Sequence, residues 1–106
     1  MGLERNMETE TRRLLTIVTE AALETDLTEA IRKLGATGYT ITDARGRGSR
    51  GVRDAEWVTS SNIRIEVICE SETADAIAEH LRDNYYRDYA MVLYLSDVSV
   101  LRPEKF

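Results

Sequence analysis

Two helix-like stripes, each set between strand-like runs, constrain the fold of this chain more than any other feature. Leu23, Leu27, Ala30, Ile31 and Leu34 recur at steps of four, three, one and three, which places them on one helical face. Gly35 follows at once, where a left-handed C-terminal residue is favoured. Ala74, Ile77, Ala78, Leu81 and Tyr85 supply a second stripe, with Ser71 positioned to cap its start. Four strand signals surround them. Leu14, Leu15, Ile17 and Val18 form an apolar run; residues 38–44 set Tyr39 and Ile41 opposite Thr40 and Thr42. Ile63, Ile65, Val67 and Cys69 alternate with Arg64 and Glu66, and residues 90–95 are almost wholly apolar. Val98, Val100 and Leu101 read as a short fifth strand, stopped by Pro103. The order predicts an α+β fold of the ferredoxin-like βαββαβ type, with both helices on one face of an antiparallel sheet. Leu15, Ile68 and Leu93 are assigned to the other face, which is then too apolar for water and predicts a homo-oligomer packed sheet to sheet.

At 106 residues the chain has the size of one domain, read as a flexible arm over 1–12 and a single domain over 13–106. No apolar run approaches the roughly 20 residues that cross a bilayer. The opening residues lack the basic and apolar regions of a secretory signal. Cys69 is the only cysteine and His80 the only histidine, which argues against an intrachain disulfide and against a metal site. The expectation is a soluble, cytoplasmic protein without membrane insertion. A formal net charge of -5 speaks against non-specific binding to nucleic acid or to anionic membranes.

Against that acidic body stands one basic segment. Residues 45–53 read Arg-Gly-Arg-Gly-Ser-Arg-Gly-Val-Arg, with four arginines and three glycines in nine positions. Each guanidinium is a planar, permanently charged fork that grips phosphate or carboxylate through paired hydrogen bonds. The glycines let the backbone come close to a ligand. The segment opens a connection running to Ser61, and loops of that length in small domains are commonly functional or disordered. A basic loop on an acidic body suits selective capture of a small anion.

In combination these residues resemble the PII-like signalling proteins. The resemblance is carried by Gly35, Gly38, Tyr39, Thr40 and Ile41 leading into Gly46, Gly48, Ser49, Arg50, Gly51 and Arg53, with 63–67, 84–90 and 17–20 in agreement. It covers residues 14–102, nearly all of the folded part. Within that superfamily the chain is similar to the carbon-metabolism branch, the carboxysome-associated and SbtB-like members. The resemblance implies a non-enzymatic homotrimer with adenine nucleotides in clefts between subunits. It also implies a long T-loop between strands 2 and 3 that reaches a target such as a bicarbonate transporter or a carboxysome-related protein. The implied ligands are AMP, ADP or cyclic AMP, with bicarbonate near the base of the loop in some members.

By match to that motif, Gly48, Ser49, Arg50 and Arg53 face the phosphate; Gly38, Tyr39 and Thr40 border the adenine pocket; and Asp88, Tyr89 and Ala90 close it from the neighbouring subunit. Arg45, Arg47 and Trp57 are assigned to the partner-binding loop. Arg102 reads as an exposed strand-end arginine. Three departures from the family pattern matter. Residues 45–61 hold no tyrosine, so nucleotidylylation there is not expected. Arg87 is the only cation in residues 84–89, which argues for a mono- or diphosphate ligand over ATP. The segment 102–106 has no cysteine and so no redox control of the kind some relatives carry.

Rival functions of the same architecture fit poorly. An acylphosphatase-like hydrolase needs an arginine loop after the first strand, where residues 19–24 are acidic and apolar. An RNA-recognition module needs stacking aromatics on the central strands, and residues 64–68 offer none. The serious alternative is an adaptor of the same fold whose loop binds a partner without nucleotide.

Overall fold

A computed structural model describes residues 8–46 and 61–106 of the chain. Its elements are β1 (Glu10–Glu20), α1 (Glu24–Lys33), β2 (Thr40–Ala44), β3 (Asn62–Cys69), α2 (Ser71–Tyr85) and β4 (Met91–Val100), with 3-10 turns at Ala21–Leu23 and Pro103–Lys105. The sheet order is β2-β3-β1-β4, and every neighbouring pair is antiparallel. This is the expected βαββαβ arrangement.

Side-chain alternation decides which face is sealed. Leu15 pairs with Val67 and Leu95, and Ile17 with Ile65 and Leu93, so these residues share one face. On that face Leu15, Ile17, Ile65 and Val67 are fully buried beneath Leu27 and Ile31 of α1 and Ala74, Ile77 and Leu81 of α2. Complete burial of each such aliphatic side chain contributes about 1.5–3 kcal/mol. Both stripes read from the sequence therefore supply core residues, with Ala78 and Tyr85 packed at the margin. Leu34 lies past the end of α1 and is exposed.

The register corrects the assignment of the open face. Leu15 is fully buried on the helix side, and Leu93 packs against the core beside Ile17. Of the three residues assigned to the open face, only Ile68 lies there, paired with Leu14. An apolar run hides the period of two, so its faces cannot be told apart from sequence alone.

Strand boundaries also differ. β1 begins at Glu10, so residues 10–12 of the expected arm pair with β4 through Glu10↔Val100, Thr11↔Ser99 and Arg12↔Val98. The anticipated fourth and fifth strands are one continuous strand. Ser96 and Asp97 do not break it, because they stay paired with Leu14 and Arg13. β2 starts at Thr40, two residues later than expected.

The helix ends are set by local chemistry. Glu24 and Asp26 sit in the first turn of α1 and Arg32 and Lys33 in the last, matching the helix dipole. Gly35 takes φ +114 and its N–H donates to the Arg32 carbonyl at 3.1 Å. That left-handed backbone is accessible to glycine and strained for other residues. Ser71 is not the cap of α2. Glu70 occupies that position without a side-chain cap bond, and Ser71 is already helical.

Candidate functional site

The residue carrying most of the site geometry is Glu66, on the open face of β3. Its pairing with Thr40 and Thr16 fixes it at the level where β2 begins. Residues 36–39 lead from the end of α1 into β2 and lie outside the sheet ladder. Thr37, Gly38, Tyr39 and Thr40, with Glu66 and Ile68 of β3, therefore line a cleft of about 220 Å³ whose remaining wall is Lys105 and Phe106. Tyr39 is 42% exposed, so its ring is available to a flat partner. Space at Gly38 is open: a Cβ built there meets nothing within 4 Å. The cleft combines an aromatic ring, an aliphatic wall, an acidic acceptor and hydroxyl groups, the mixture typical of small-molecule sites. Arg64 Nε lies 3.9 Å from the Glu66 carboxylate on the same face, a loose exposed pair.

The sequence-predicted residues fall into three groups. Gly38, Tyr39 and Thr40 come together in this cleft. Asp88, Tyr89 and Ala90 form the turn leaving α2, in which the N–H groups of Asp88 and Tyr89 donate to the Tyr85 carbonyl. Thr19 Oγ1 donates to the Ala90 carbonyl at 2.9 Å, and the Ala90 N–H donates to Glu20 Oε2 at 3.3 Å. Asp88 and Arg87 line a separate open groove with Arg82, Asp83, Asn84 and Tyr86. Within one protomer this turn leads into β4 and the cleft opens beside β2, the two edge strands. Three strand spacings, about 14 Å, separate those edges. The two halves do not meet in one copy of the chain.

The third group is the loop. Arg45 and Gly46 extend from β2, exposed, and the Ser61 carbonyl accepts from the Ala21 N–H at 2.9 Å, fixing the return of the loop next to the end of β1. Arg47, Gly48, Ser49, Arg50, Arg53 and Trp57 lie outside the described residues.

Sequence reasoning missed Thr37, Glu66, Ile68, Lys105 and Phe106 as cleft residues. For Glu66 a signal existed: it is the polar partner in the β3 alternation, so it had to lie opposite the helices. Nothing in the sequence pointed to Phe106.

Other groups are quieter. Burial, then the nearby carboxylates of Asp75 and Glu70, pushes the Cys69 thiol above its ordinary value of 9.0, keeping it protonated and unreactive. His80 Nδ1 lies 3.2 Å from Asn84 Nδ2 and its ring meets Tyr85 edge-on. Among the described residues, no group of three or more His, Cys, Asp or Glu side chains gathers in a way that could hold a metal ion. No described helix is long and apolar enough to cross a membrane. Arg102 is exposed, 3.8 Å from Glu104.

Comparison with known proteins agrees with this fold. The family model described as nitrogen regulatory protein P-II matches residues 12–105. A crystal structure of a protein from Thermus thermophilus, described as PII-like and signaling, is 45% identical, covering 94% of this chain and 99% of its own at a TM-score of 0.80. CPII from Thiomonas intermedia, solved with ADP and bicarbonate, is 25% identical, covering 94% of this chain and 98% of its own at a TM-score of 0.81. A second structure of that protein, with ADP, AMP and acetate, superposes at a TM-score of 0.82 and 24% identity, covering 94% of this chain and 98% of its own.

Proposed function

Because the chain belongs to the P-II family of regulatory proteins, we propose that it is a non-enzymatic sensor of adenine nucleotides that reports to a partner protein through the 45–61 loop. The observation that carries this reading is the cleft formed by Gly38, Tyr39, Thr40 and Glu66. It lies in a chain 25% identical to a protein solved with ADP and bicarbonate. The chemistry orients the ligand. A phosphate would be repelled by the Glu66 carboxylate, whereas the exocyclic amino group of adenine would donate to it. Tyr39 offers a ring face to the base. The base therefore sits in the cleft, which leaves the phosphates to Ser49, Arg50 and Arg53, the residues that the family motif assigns to them.

Asp88, Tyr89 and Ala90 complete the site from a neighbouring subunit in a homotrimer. Their distance from the cleft within one protomer supports this assignment, as does the open face of the sheet. Val92 and Tyr94 stand half-exposed there, at 51% and 50%. The arginine supply favours AMP, ADP or cyclic AMP over ATP, with bicarbonate as a second ligand near the loop base. Bound nucleotide selects one loop conformation, and only that conformation docks on the target, such as a bicarbonate transporter or a carboxysome-related protein.

Calorimetric titration of AMP, ADP, ATP and cyclic AMP, with and without bicarbonate, tests the reading. The expected result is micromolar binding, about 8 kcal/mol, for the mono- or diphosphate. Replacing Arg50 and Arg53 with alanine should weaken it roughly ten- to hundredfold per lost charged hydrogen bond while the trimer persists. Neither heat nor thermal shift with any nucleotide would favour the adaptor instead.

A further inference from the structure

The segment after β4 crosses the sheet instead of leaving it. Leu101 is exposed, and the chain then turns through Pro103–Lys105. Arg12 Nη2 of β1 donates to the Pro103 carbonyl at 3.4 Å. Thr37 Oγ1, just before β2, donates to the Lys105 carbonyl at 2.9 Å. Phe106 is half-buried, its N–H donating to the Pro103 carbonyl at 3.0 Å, and it lines the cleft with Tyr39, Thr40, Glu66 and Ile68. In sheet order β2-β3-β1-β4, residues 101–106 therefore pass from one edge strand, over the two central ones, to the other.

The room left beside the strap on this protomer's half of the site bears on what it does. With Lys105 and Phe106 in place the cleft holds about 220 Å³. Pockets that accept drug-sized ligands run from about 300 to 1,000 Å³. Phe106 lines the same cleft as Tyr39 and Ile68, the two side chains that offer a base its ring face and its aliphatic wall. We propose that residues 102–106 form a built-in competitor, with Phe106 seated where the base of an adenine nucleotide must go. This rests on the function proposed above and adds to it a residue that sets the sensing threshold.

Among the described residues, two hydrogen bonds from the body and one partly buried ring anchor it. The strap is therefore displaceable. A seat filled nine-tenths of the time lowers apparent affinity about tenfold, because only the open fraction binds. By linkage, ligand must unseat the strap to the same degree that the strap weakens ligand.

The experiment compares ADP binding by the full chain, a chain ending at Leu101, and Phe106→Ala. The truncated chain should bind about tenfold more tightly and Phe106→Ala several-fold more tightly. Unchanged or weakened affinity in both would overturn the competition and leave the nucleotide reading standing. If no form of the chain binds ADP, AMP or cyclic AMP, the proposed function itself falls, and the competition with it. A second readout needs no truncation. Phe106 is the only phenylalanine in the sequence, so growth on 4-fluorophenylalanine gives one fluorine resonance. That resonance should move toward the free amino-acid position as ADP saturates the protein, and also in Thr37→Val without ligand. A signal unmoved by saturating ADP would overturn the proposal.

Discussion

On the helix side of the sheet, Leu15, Ile17, Ile65 and Val67 are completely buried, while the other side carries Thr40 and Thr42 of β2 and Arg64 and Glu66 of β3. Ile65 and Glu66 are consecutive residues, yet one is sealed under two helices and the other lines the cleft. The period of two along a strand makes this division possible: one backbone holds the fold together and offers a recognition surface on its reverse. Changes on the first face should be read as stability, and changes on the second as binding.

The sharpest way to break that division is Ile65→Ala. It removes a fully buried side chain between Ile17 and Ile41 and should cost about 2–5 kcal/mol in denaturant unfolding. Gly35→Ala comes next. An added Cβ would be 3.8 Å from Thr73 Oγ1, an ordinary contact, so the cost is the left-handed backbone alone, about 1–2 kcal/mol. A loss well above that would mean the packing of α1 on α2 also depends on the turn.

Alkaline pH tests the sealed face differently. Burial raises the Cys69 thiol above 9.0, and burial with Asp26 and Tyr89 raises the Tyr85 phenol above 10.0. Groups with raised folded values contribute stability that is complete below their unfolded values and lost as pH climbs through the folded ones. The thermal midpoint should begin to fall above about pH 9, and Cys69→Ala should blunt the first part of the fall. Glu66→Ala, one residue from the largest predicted effect, should shift stability by no more than about 0.5 kcal/mol while weakening nucleotide binding. The smallest change belongs to Asp97→Asn. Arg13 Nε and Asp97 Oδ1 are 3.1 Å apart in an exposed pair, contributing about 0–1 kcal/mol that salt should erase.

The fold was legible because two 3.6-residue stripes and one clean alternation, at 63–69, leave few topologies open. Leu15 and Leu93 were misplaced because they sit in apolar runs, where periodicity carries no facing information and only the pairing with Val67 and Ile17 decides. The start of β1 was misread for a related reason. Glu10, Thr11 and Arg12 have no apolar period, and they become a strand because β4 is long enough to pair with them. In the site, Gly38, Tyr39 and Thr40 were legible through a local glycine-flanked motif. Glu66 and Phe106 join them through sheet register and a chain crossing, contacts separated by 26 or more positions that no local pattern encodes.

Amide hydrogen exchange with and without saturating ADP tests the central claim most directly. Slowed exchange is expected at residues 37–40 and around Glu66 and Ile68, with residues 71–85 of the second helix unchanged. Binding of ADP with no slowing at those positions, or with protection confined to the helix side, would contradict it.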